Sequence, residues 1–393
     1  MIRIFYAVIF LTITVQGIHG QSLQEYLNKV ENGNPEINAY KKLLEARRLE
    51  ARTGNTPADP FISAGVMPGT PEAAGTKKTW SITQSFSFPT KYLLQKKVNR
   101  STIRLAEQEF NQGRLQILLD AKESYYDLAW KMKHLNALVS RKTGYDRLRE
   151  AWKKMLDNGQ TTIMDYNRIM LEISSINLEI TKTRADIDIL QQKLAYISGA
   201  AESNIVPDEY TSEPEPDPEM LLKDKSSLHP AYIIPEIEYQ ISIEEMKLSK
   251  SGSLPEFQLG YESEIEQGET YTGPFGGISI PLWSNSNRIK SASAKSDYMQ
   301  AQRDASIRKL NLQVTREYLN MKALEKSISD INGILESDGG TKYLNSALDS
   351  GEITLASYFT YIEVIYKSED TLLELENDYY KSLAILHDHE LLK

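Results

Sequence analysis

Histidines are few in this chain, and their spacing decides whether a metal site is expected. His387-Asp388-His389, near the C-terminus, is the one place where two of them lie close in sequence. Two imidazoles two residues apart point in different directions on a helix, which disfavours binding of one metal ion by both. His134 and His229 each stand alone. We therefore expect no metal site and no cofactor.

Motifs for catalysis are also missing from the sequence. It contains no Gly-rich phosphate loop, no nucleophile elbow and no HExxH. The absence of cysteine excludes disulfides, thiol catalysis and cysteine zinc sites. A net charge of −9 argues against a nucleic-acid partner. The sequence predicts a protein that is not an enzyme.

The N-terminus, residues 1–20, has the pattern of a secretory signal peptide. Arg3 supplies the positive charge, Ile4 to Val15 form an apolar stretch, and Gly20 is a small residue suited to cleavage. The alternative is an N-terminal membrane anchor. No run of 18 apolar residues follows. We expect an exported chain that is either soluble in the periplasm or enters a membrane as strands.

The rest of the chain is one pattern written twice, in residues 21–199 and 223–393. Asn34-Pro35 recurs as His229-Pro230, and Pro60 recurs as Pro255, at one constant spacing. A second constant spacing relates four further pairs: Pro89 and Pro281, Tyr126 and Tyr318, Gly159 and Gly351, Tyr166 and Tyr358. A repeated unit that buries little by itself must pack against its copy, so we expect one pseudo-symmetric body.

Each repeat is predicted to contain a helix, two short strands, a very long helix, a tight turn and a last helix. In chain order the predicted elements are 23–55, 60–67, 79–88, 92–157 and 161–198, then 225–252, 256–263, 273–281, 284–349 and 353–390. The long helices would measure roughly 100 Å, as much as the first and last helices of a repeat laid end to end. Such rods suit a span across a wide compartment.

The last helix of each repeat carries a seam of apolar residues at coiled-coil spacing. In the first repeat this seam is Tyr166, Ile169, Ile173, Ile176, Ile180, Thr183, Ile187, Leu190, Leu194 and Ile197. A seam of this kind requires a partner helix, and the antiparallel long helix is one turn away. The fold class is therefore mainly α, with long antiparallel coiled-coil helices in two tandem repeats.

The predicted strands alternate between apolar and small polar residues. In 80–88, Trp80, Ile82 and Phe86 share one face, opposite serines and a threonine. This alternation suits either a half-buried soluble sheet or a barrel with lipid outside and water inside. Four strands cannot close a barrel, and an open sheet edge cannot lie in lipid, so closure needs several chains. Three copies supply twelve strands, enough for a small pore.

The turns that join the long and last helices have matching residues, Leu156-Asp157-Asn158-Gly159 and Leu348-Asp349-Ser350-Gly351. Glycine provides the left-handed cap, and Thr161 or Thr162, and Thr354, can cap the next helix. These residues form either a good turn or an exposed tip that meets a partner, and the length of the rods favours the tip. Between the repeats, residues 200–222 are acidic and proline-rich, and we expect a non-helical, solvated linker rather than a partner site.

This ordered set of features resembles the TolC-type outer-membrane efflux proteins over nearly all of the mature chain. The resemblance implies a homotrimer with a twelve-stranded barrel in the outer membrane of a Gram-negative bacterium and a helical tunnel in the periplasm. It implies docking on a periplasmic adaptor and, through it, on an inner-membrane pump of the RND or ABC type. The docking residues would be Leu156, Asp157, Gly159, Thr162, Asp165, Leu348, Asp349, Gly351 and Thr354.

One departure from the family concerns the periplasmic mouth. The family's turn motif places an acidic residue six positions after the glycine, as Gly159 and Asp165 do here. In the second copy Ser357 and Thr360 stand where the best-known members have carboxylates. The ring would then be lined by hydroxyls, with Asp349, Glu352 or Glu363 as possible substitutes. Gly339-Gly340 is either a hinge that opens the mouth or a tolerated break in the helix.

The resulting hypothesis is a passive exit duct of a tripartite efflux system, which uses no cofactor. The alternative from another class is an exported periplasmic coiled-coil scaffold or adaptor without a pore. That alternative explains the rods and the turns but gives the alternating strands no role.

Overall fold

A computed structural model of the chain describes residues 22–70, 75–208, 210, 214–281, 283, 285–337 and 340–392. The predicted signal segment, 1–20, lies outside these residues. The helices are α1 (Leu23–Gly33), α2 (Pro35–Glu50), α3 (Pro89–Asp157), α4 (Ile163–Ser198), α5 (Pro218–Leu228), α6 (Pro230–Ser251), α7 (Ser286–Ser337), α8 (Gly340–Asp349) and α9 (Leu355–Leu386). A 3₁₀ helix, Asp388–Leu392, follows α9. None of the described helices is long and apolar enough to cross a membrane.

The strands are β1 (Phe61–Pro68), β2 (Thr76–Phe86), β3 (Glu256–Glu266) and β4 (Glu269–Ser279). They form one antiparallel sheet in the order β1-β2-β3-β4. Ile62 pairs with Ile82, and Ile82 with Tyr261, so side chains of one character lie opposite each other across the sheet. The fold class predicted for one chain, mainly α with four strands, is confirmed.

The first predicted helix, 23–55, is wrong as a single element. It consists of α1 and α2, which separate at Asn34. The Asn34 side chain accepts a hydrogen bond from the Ile37 amide at 2.8 Å, and Pro35 occupies the first helical position. Proline disfavours helical geometry in the residue before it and asparagine is a good N-cap, so a new helix starts here. His229 and Pro230 begin α6 in the same way, through the imidazole Nδ1 and the Ala231 amide.

The linker differs from its prediction in two respects. Its last residues are helical, since Asp217 caps α5 and Pro218 occupies the first position of that helix. Its earlier residues are fixed to helices rather than solvated: Ile205 is buried, and the Gln191 side chain bonds to both backbone groups of Ile205, at 2.7 and 3.0 Å. The Tyr210 ring stacks on Tyr380 with 4.3 Å between centroids.

The described helices and strands fall into two compact units. The helical unit contains α1, α3 from Ala121 onwards, α4, the end of α7, α8 and α9 as far as Tyr380. Its buried cluster joins the predicted seam to the turn region and consists of Leu138, Tyr145, Ile169, Ile173, Ile176, Ile180, Leu348, Leu355, Tyr358, Phe359 and Ile362. The seam prediction is confirmed for these isoleucines, and Thr183, its one polar member, is buried with them.

The sheet unit contains α2, the four strands, the first part of α3, α5, α6, most of α7 and the C-terminal residues from Lys381. Its sheet is continuous from β1 to β4. Helix α3 begins directly after the sheet, since β2 runs to Phe86 and α3 begins at Pro89. The unit therefore carries the strand surface on which a membrane role depends.

Candidate functional site: the helical turns and the sheet

The turn after α3 is a complete Schellman motif. Gly159 has a φ of 71°, its amide bonds to the Leu156 carbonyl at 3.0 Å, and the Gln160 amide bonds to the Met155 carbonyl at 2.8 Å. Apart from the adjoining residues, no atom of the described part of the chain lies within 4 Å of the position that a Gly159 side chain would take. Glycine is needed here for its backbone conformation rather than for space.

The turn after α8 has the same hydrogen bonds. Gly351 has a φ of 75°, its amide bonds to the Leu348 carbonyl at 3.1 Å, and the Glu352 amide bonds to the Ala347 carbonyl at 2.9 Å. Leu348 is buried, while Asp349 is exposed. The sequence correctly identified the two turns as equivalent.

Helix α4 starts with a reciprocal cap. Thr162 accepts a hydrogen bond from the Asp165 amide at 3.1 Å, and its hydroxyl donates to the Asp165 carboxylate at 2.7 Å. In the second turn Thr354 accepts from the Ser357 amide at 3.2 Å, with 3.0 Å between the two hydroxyls. Ser357 thus takes over the capping role of Asp165. Its side chain is half-buried in this cap.

The surface of the first turn combines a paired charge with exposed apolar side chains. Asp157 is bound to Lys153 at 2.6 Å. Leu156 is half-buried, whereas Ile163 is 56% and Met164 is 78% exposed. A helix start that leaves two large apolar side chains in solvent suits contact with a partner.

The other predicted mouth residues lie apart from any tight cluster. Glu352 and Thr360 are exposed, and the Thr360 hydroxyl donates to the Ala356 carbonyl at 3.0 Å. Glu363 is exposed at the rim of a groove between α4 and α9. Of the hinge residues, Gly339 lies outside the described residues and Gly340 is the first residue of α8.

A buried ion pair that the sequence did not predict joins α3 to α9. Arg141 donates to both Asp370 carboxylate oxygens at 2.8 Å and to Glu369 at 3.0 Å, and it lies over the Tyr366 ring at 4.4 Å. Its side chain is only 6% exposed. Burial alone would lower the pKa of Arg141, but the bonds to Asp370 and Glu369 raise it on balance. The partners are far apart in the chain, so no local pattern reveals them.

Asp388, in the 3₁₀ helix after α9, forms a second buried charge cluster, in the sheet unit. Asp388 binds Lys225 and also His229, whose Nε2 lies 3.1 Å away. Burial works to raise the pKa of Asp388, but the hydrogen bond from His229 and the charge of Lys225 hold it below its ordinary value of 3.8. Among the described residues no group of three or more metal-binding side chains is arranged to hold an ion.

The two faces of the sheet differ in a way that soluble sheets do not. On one face the apolar side chains are exposed: Ile62 is 70%, Leu259 is 61% and Ile278 is 63% exposed. The polar residues Thr79, Ser81 and Thr83, on the other face of β2, are less exposed than Trp80 and Ile82 between them. A sheet in a soluble protein buries its apolar face, whereas this sheet exposes its apolar face to solvent.

The polar face carries most of the strand charges. Lys77 binds Glu264 at 2.8 Å, and Ser63 and Ser81 are hydrogen-bonded at 2.9 Å. The register places five acidic residues on this face: Glu256, Glu262, Glu264, Glu266 and Glu269. Gly260 makes room there for the Phe275 ring, which would lie 2.4 Å from a side chain at that position.

Comparison with known proteins gives a consistent result for the fold. No family model and no curated protein matches the sequence. Among solved structures, VceC, an outer membrane protein of Vibrio cholerae, is 14% identical with a TM-score of 0.74, and the match covers 94% of this chain and 95% of that one. CusC is 12% identical with a TM-score of 0.77, over 93% of this chain and 91% of the other. The outer-membrane channel OprN is 14% identical with a TM-score of 0.79, over 93% and 89%.

The chain has the TolC-type outer-membrane channel fold. This conclusion agrees with the resemblance noted in the sequence and accounts for the long helices, the paired turns and the small sheet. Identities of 11–14% explain why short matched motifs, and not overall similarity, carry the signal in the sequence.

Proposed function

We propose that the protein is the outer-membrane exit duct of a tripartite efflux system in a Gram-negative bacterium. Three copies form a homotrimer whose sheets close into a barrel, and the helices form a tunnel in the periplasm. The duct is passive and catalyses nothing. A periplasmic adaptor connects it to an inner-membrane pump of the RND or ABC type, which selects the substrate and supplies the energy.

The inverted exposure of the sheet carries this proposal. A face with Ile62, Leu259 and Ile278 in solvent is unfavourable in water and favourable in hydrocarbon, by about 25 cal/mol for each Å² of apolar surface covered. The opposite face, with hydroxyls and carboxylates, suits a water-filled lumen. The sheet alone has two open edges, at β1 and β4, which must be paired before it can lie in lipid.

The fold supports closure by three copies. Four strands in each of three chains make twelve, and a barrel of that size holds an aqueous pore. The edge strands β1 and β4 would pair with those of the neighbouring copies. The same proposal divides the mature chain into two duct repeats, 21–199 and 223–393, which residues 200–222 connect.

The turns are proposed as the adaptor-docking surface. Their helix-capping bonds fix the backbone of both turns in the same conformation, and Ile163 and Met164 are exposed next to the first cap. Two equivalent turns in each of three copies would offer an adaptor ring repeated contacts. The hydroxyls of Ser357 and Thr360, with Glu352 and Glu363, are proposed to line the periplasmic mouth, and Gly339-Gly340 to act as its hinge.

Conductance in planar bilayers, combined with mass determination in detergent, tests the duct. We expect the purified mature chain to have the mass of a trimer and to give stable single-channel steps. A monomer that gives no conductance and stays soluble without detergent would contradict the proposal and favour the coiled-coil scaffold. A matched control is the same preparation after heat dissociation, which should lose both the trimer mass and the conductance.

A further inference from the structure

A groove in the sheet unit is lined by cations that have no acidic partner among the described residues. It lies between the C-terminal end of α2 and one face of α3, and its volume is ≈ 470 Å³. Ala51 and Ile103 contribute apolar surface to it. Its basic residues are Arg52, Lys96, Arg100 and Arg104, all exposed.

Charge around this groove is unbalanced. Glu107 is the one carboxylate that lines it, and Arg48, next to the groove, already binds Glu107 at 2.6 Å. Throughout the described part of the chain, no carboxylate lies within ion-pair distance of the four basic residues of the groove. Lys96, Arg100 and Arg104 are spaced four residues apart on one stripe of α3, where like charges repel and weaken the helix.

The second repeat shows that the fold does not need two of these cations, although Arg288 and Lys247 keep the charge at the positions that match Lys96 and Arg52. At the matched positions of α7, Ala292 and Ser296 replace Arg100 and Arg104. Ser296 is buried and lies 3.3 Å from the Ser242 hydroxyl, so the same helix pair packs there through small residues. A cost that one copy carries and the other avoids indicates binding of an anion rather than a structural role.

The chemistry and position of the groove favour a phosphate group at a membrane surface. Arginine side chains bind phosphate oxygens through paired N–H groups. Lys96 lies about 10 Å along α3 from Pro89, where the helix leaves the sheet. Helical side chains point toward the helix N-terminus, which directs these cations back toward the end of the strands.

We propose that this groove binds the phosphate of an anionic phospholipid headgroup, with Arg52, Lys96, Arg100 and Arg104 as ligands. The proposal rests on the duct function, because it requires the apolar sheet face to lie in a bilayer. Bound lipid would anchor the junction between strands and helices at the membrane surface. Its binding would weaken as ionic strength rises.

Native mass spectrometry of the mature chain in neutral detergent tests the site. The probes are dioleoylphosphatidylglycerol and dioleoylphosphatidylcholine, which share their acyl chains and differ in charge. We expect retention of phosphatidylglycerol only. The double variant R100A/R104S, which carries the residues of the second repeat, should bind it about 25-fold more weakly, since each surface cation contributes roughly fivefold.

A matched control removes the same charge elsewhere. Arg308 and Lys309 are exposed on α7, about 33 Å along that helix from its start, so R308A/K309A should keep lipid retention within about twofold of the native chain. Equal losses in both double variants would mean unspecific attraction and would overturn the groove. Displacement of the lipid by millimolar inorganic phosphate would assign the site to free phosphate and overturn the lipid. Single-channel conductance of the same samples is read separately: conducting trimers with unchanged lipid retention in R100A/R104S disprove the groove and leave the duct intact.

Discussion

At the scale of single residues, two buried ionic clusters fix parts of the chain that are distant in sequence. Arg141 binds α3 to α9 in the helical unit, and Lys225 and His229 bind the C-terminal Asp388 in the sheet unit. Each cluster removes charge from water, so a single substitution leaves an uncompensated partner. Such sites are sensitive to mutation whether or not the intact cluster adds stability.

Replacing Arg141 with alanine should destabilise the helical unit by about 2–4 kcal/mol, because Asp370 and Glu369 lose their shared cation and a packed side chain disappears. Circular dichroism of the detergent-solubilised protein, followed during heating, measures the effect. Arg141→Lys keeps the charge but loses the bidentate geometry, so its stability should lie between those of the alanine variant and the native chain. Equal melting of the alanine variant and the native chain would show that the ion pair is dispensable.

The Asp388 cluster predicts a pH dependence. The pKa of Asp388 is below 3.8 in the folded chain, so its stabilising effect is complete above that value and is lost as the pH falls through the folded pKa. At pH 7, Asp388→Asn should therefore lower the free energy of unfolding by about 3 kcal/mol or more relative to the native chain. This difference should shrink near pH 3.

Asp224→Asn is the control for this cluster, since Asp224 is exposed on the same helix as Lys225. Its free energy of unfolding should stay within about 0.5 kcal/mol of that of the native chain at both pH values. A difference between Asp388→Asn and the native chain that grows toward pH 3 would contradict the sign of the pKa shift.

At the scale of elements, the two turns are built alike but offer different side chains. Both use a left-handed glycine and a hydroxyl N-cap, yet the first cap has a carboxylate, Asp165, where the second has Ser357. The second turn is therefore less acidic at this position. The backbone geometry is the same in both turns, so the fold requires it. The side chains differ, so they are free to suit different contacts.

Met164 should contribute to adaptor docking without contributing to folding. Met164→Glu places a charge on a side chain that is 78% exposed, so melting should change by less than about 0.5 kcal/mol. Site-specific cross-linking to the adaptor in cells should fall several-fold. Met220→Glu, at a 64% exposed methionine on α5, should leave cross-linking unchanged. Full cross-linking by Met164→Glu would exclude this side chain from the docking surface.

At the scale of the whole molecule, the strands predict how a pore would treat ions. The polar face of the sheet has five acidic residues and one strand lysine, Lys77. Carboxylates that line a lumen favour cations. The reversal potential in a potassium chloride gradient should show cation preference, and the E262Q/E264Q double variant should reduce it. Anion preference in the native channel would rule out this face as the lumen.

The sequence was sufficient for features that depend on neighbouring residues. Helical periodicity, strand alternation and Gly-Thr turns are local, and the seam from Ile169 to Ile180 follows directly from spacing. The signals for the starts of α2 and α5, Asn34-Pro35 and Asp217-Pro218, are also local, but on the sequence alone a repeat marker and a proline-rich linker account for them equally well. Arg141 with Asp370, and Lys225 with Asp388, could not be predicted, because only the folded backbone brings them together.

The outward-facing Ile62, Leu259 and Ile278 also bear on biogenesis. A newly exported chain would expose this apolar surface to water until a bilayer or another copy of the chain covers it. The rate of aggregation rises with the square of the concentration of unassembled chains, whereas the rate of membrane insertion rises in proportion to that concentration. Overproduction should then reduce the fraction that reaches the envelope, and a holding chaperone should restore it.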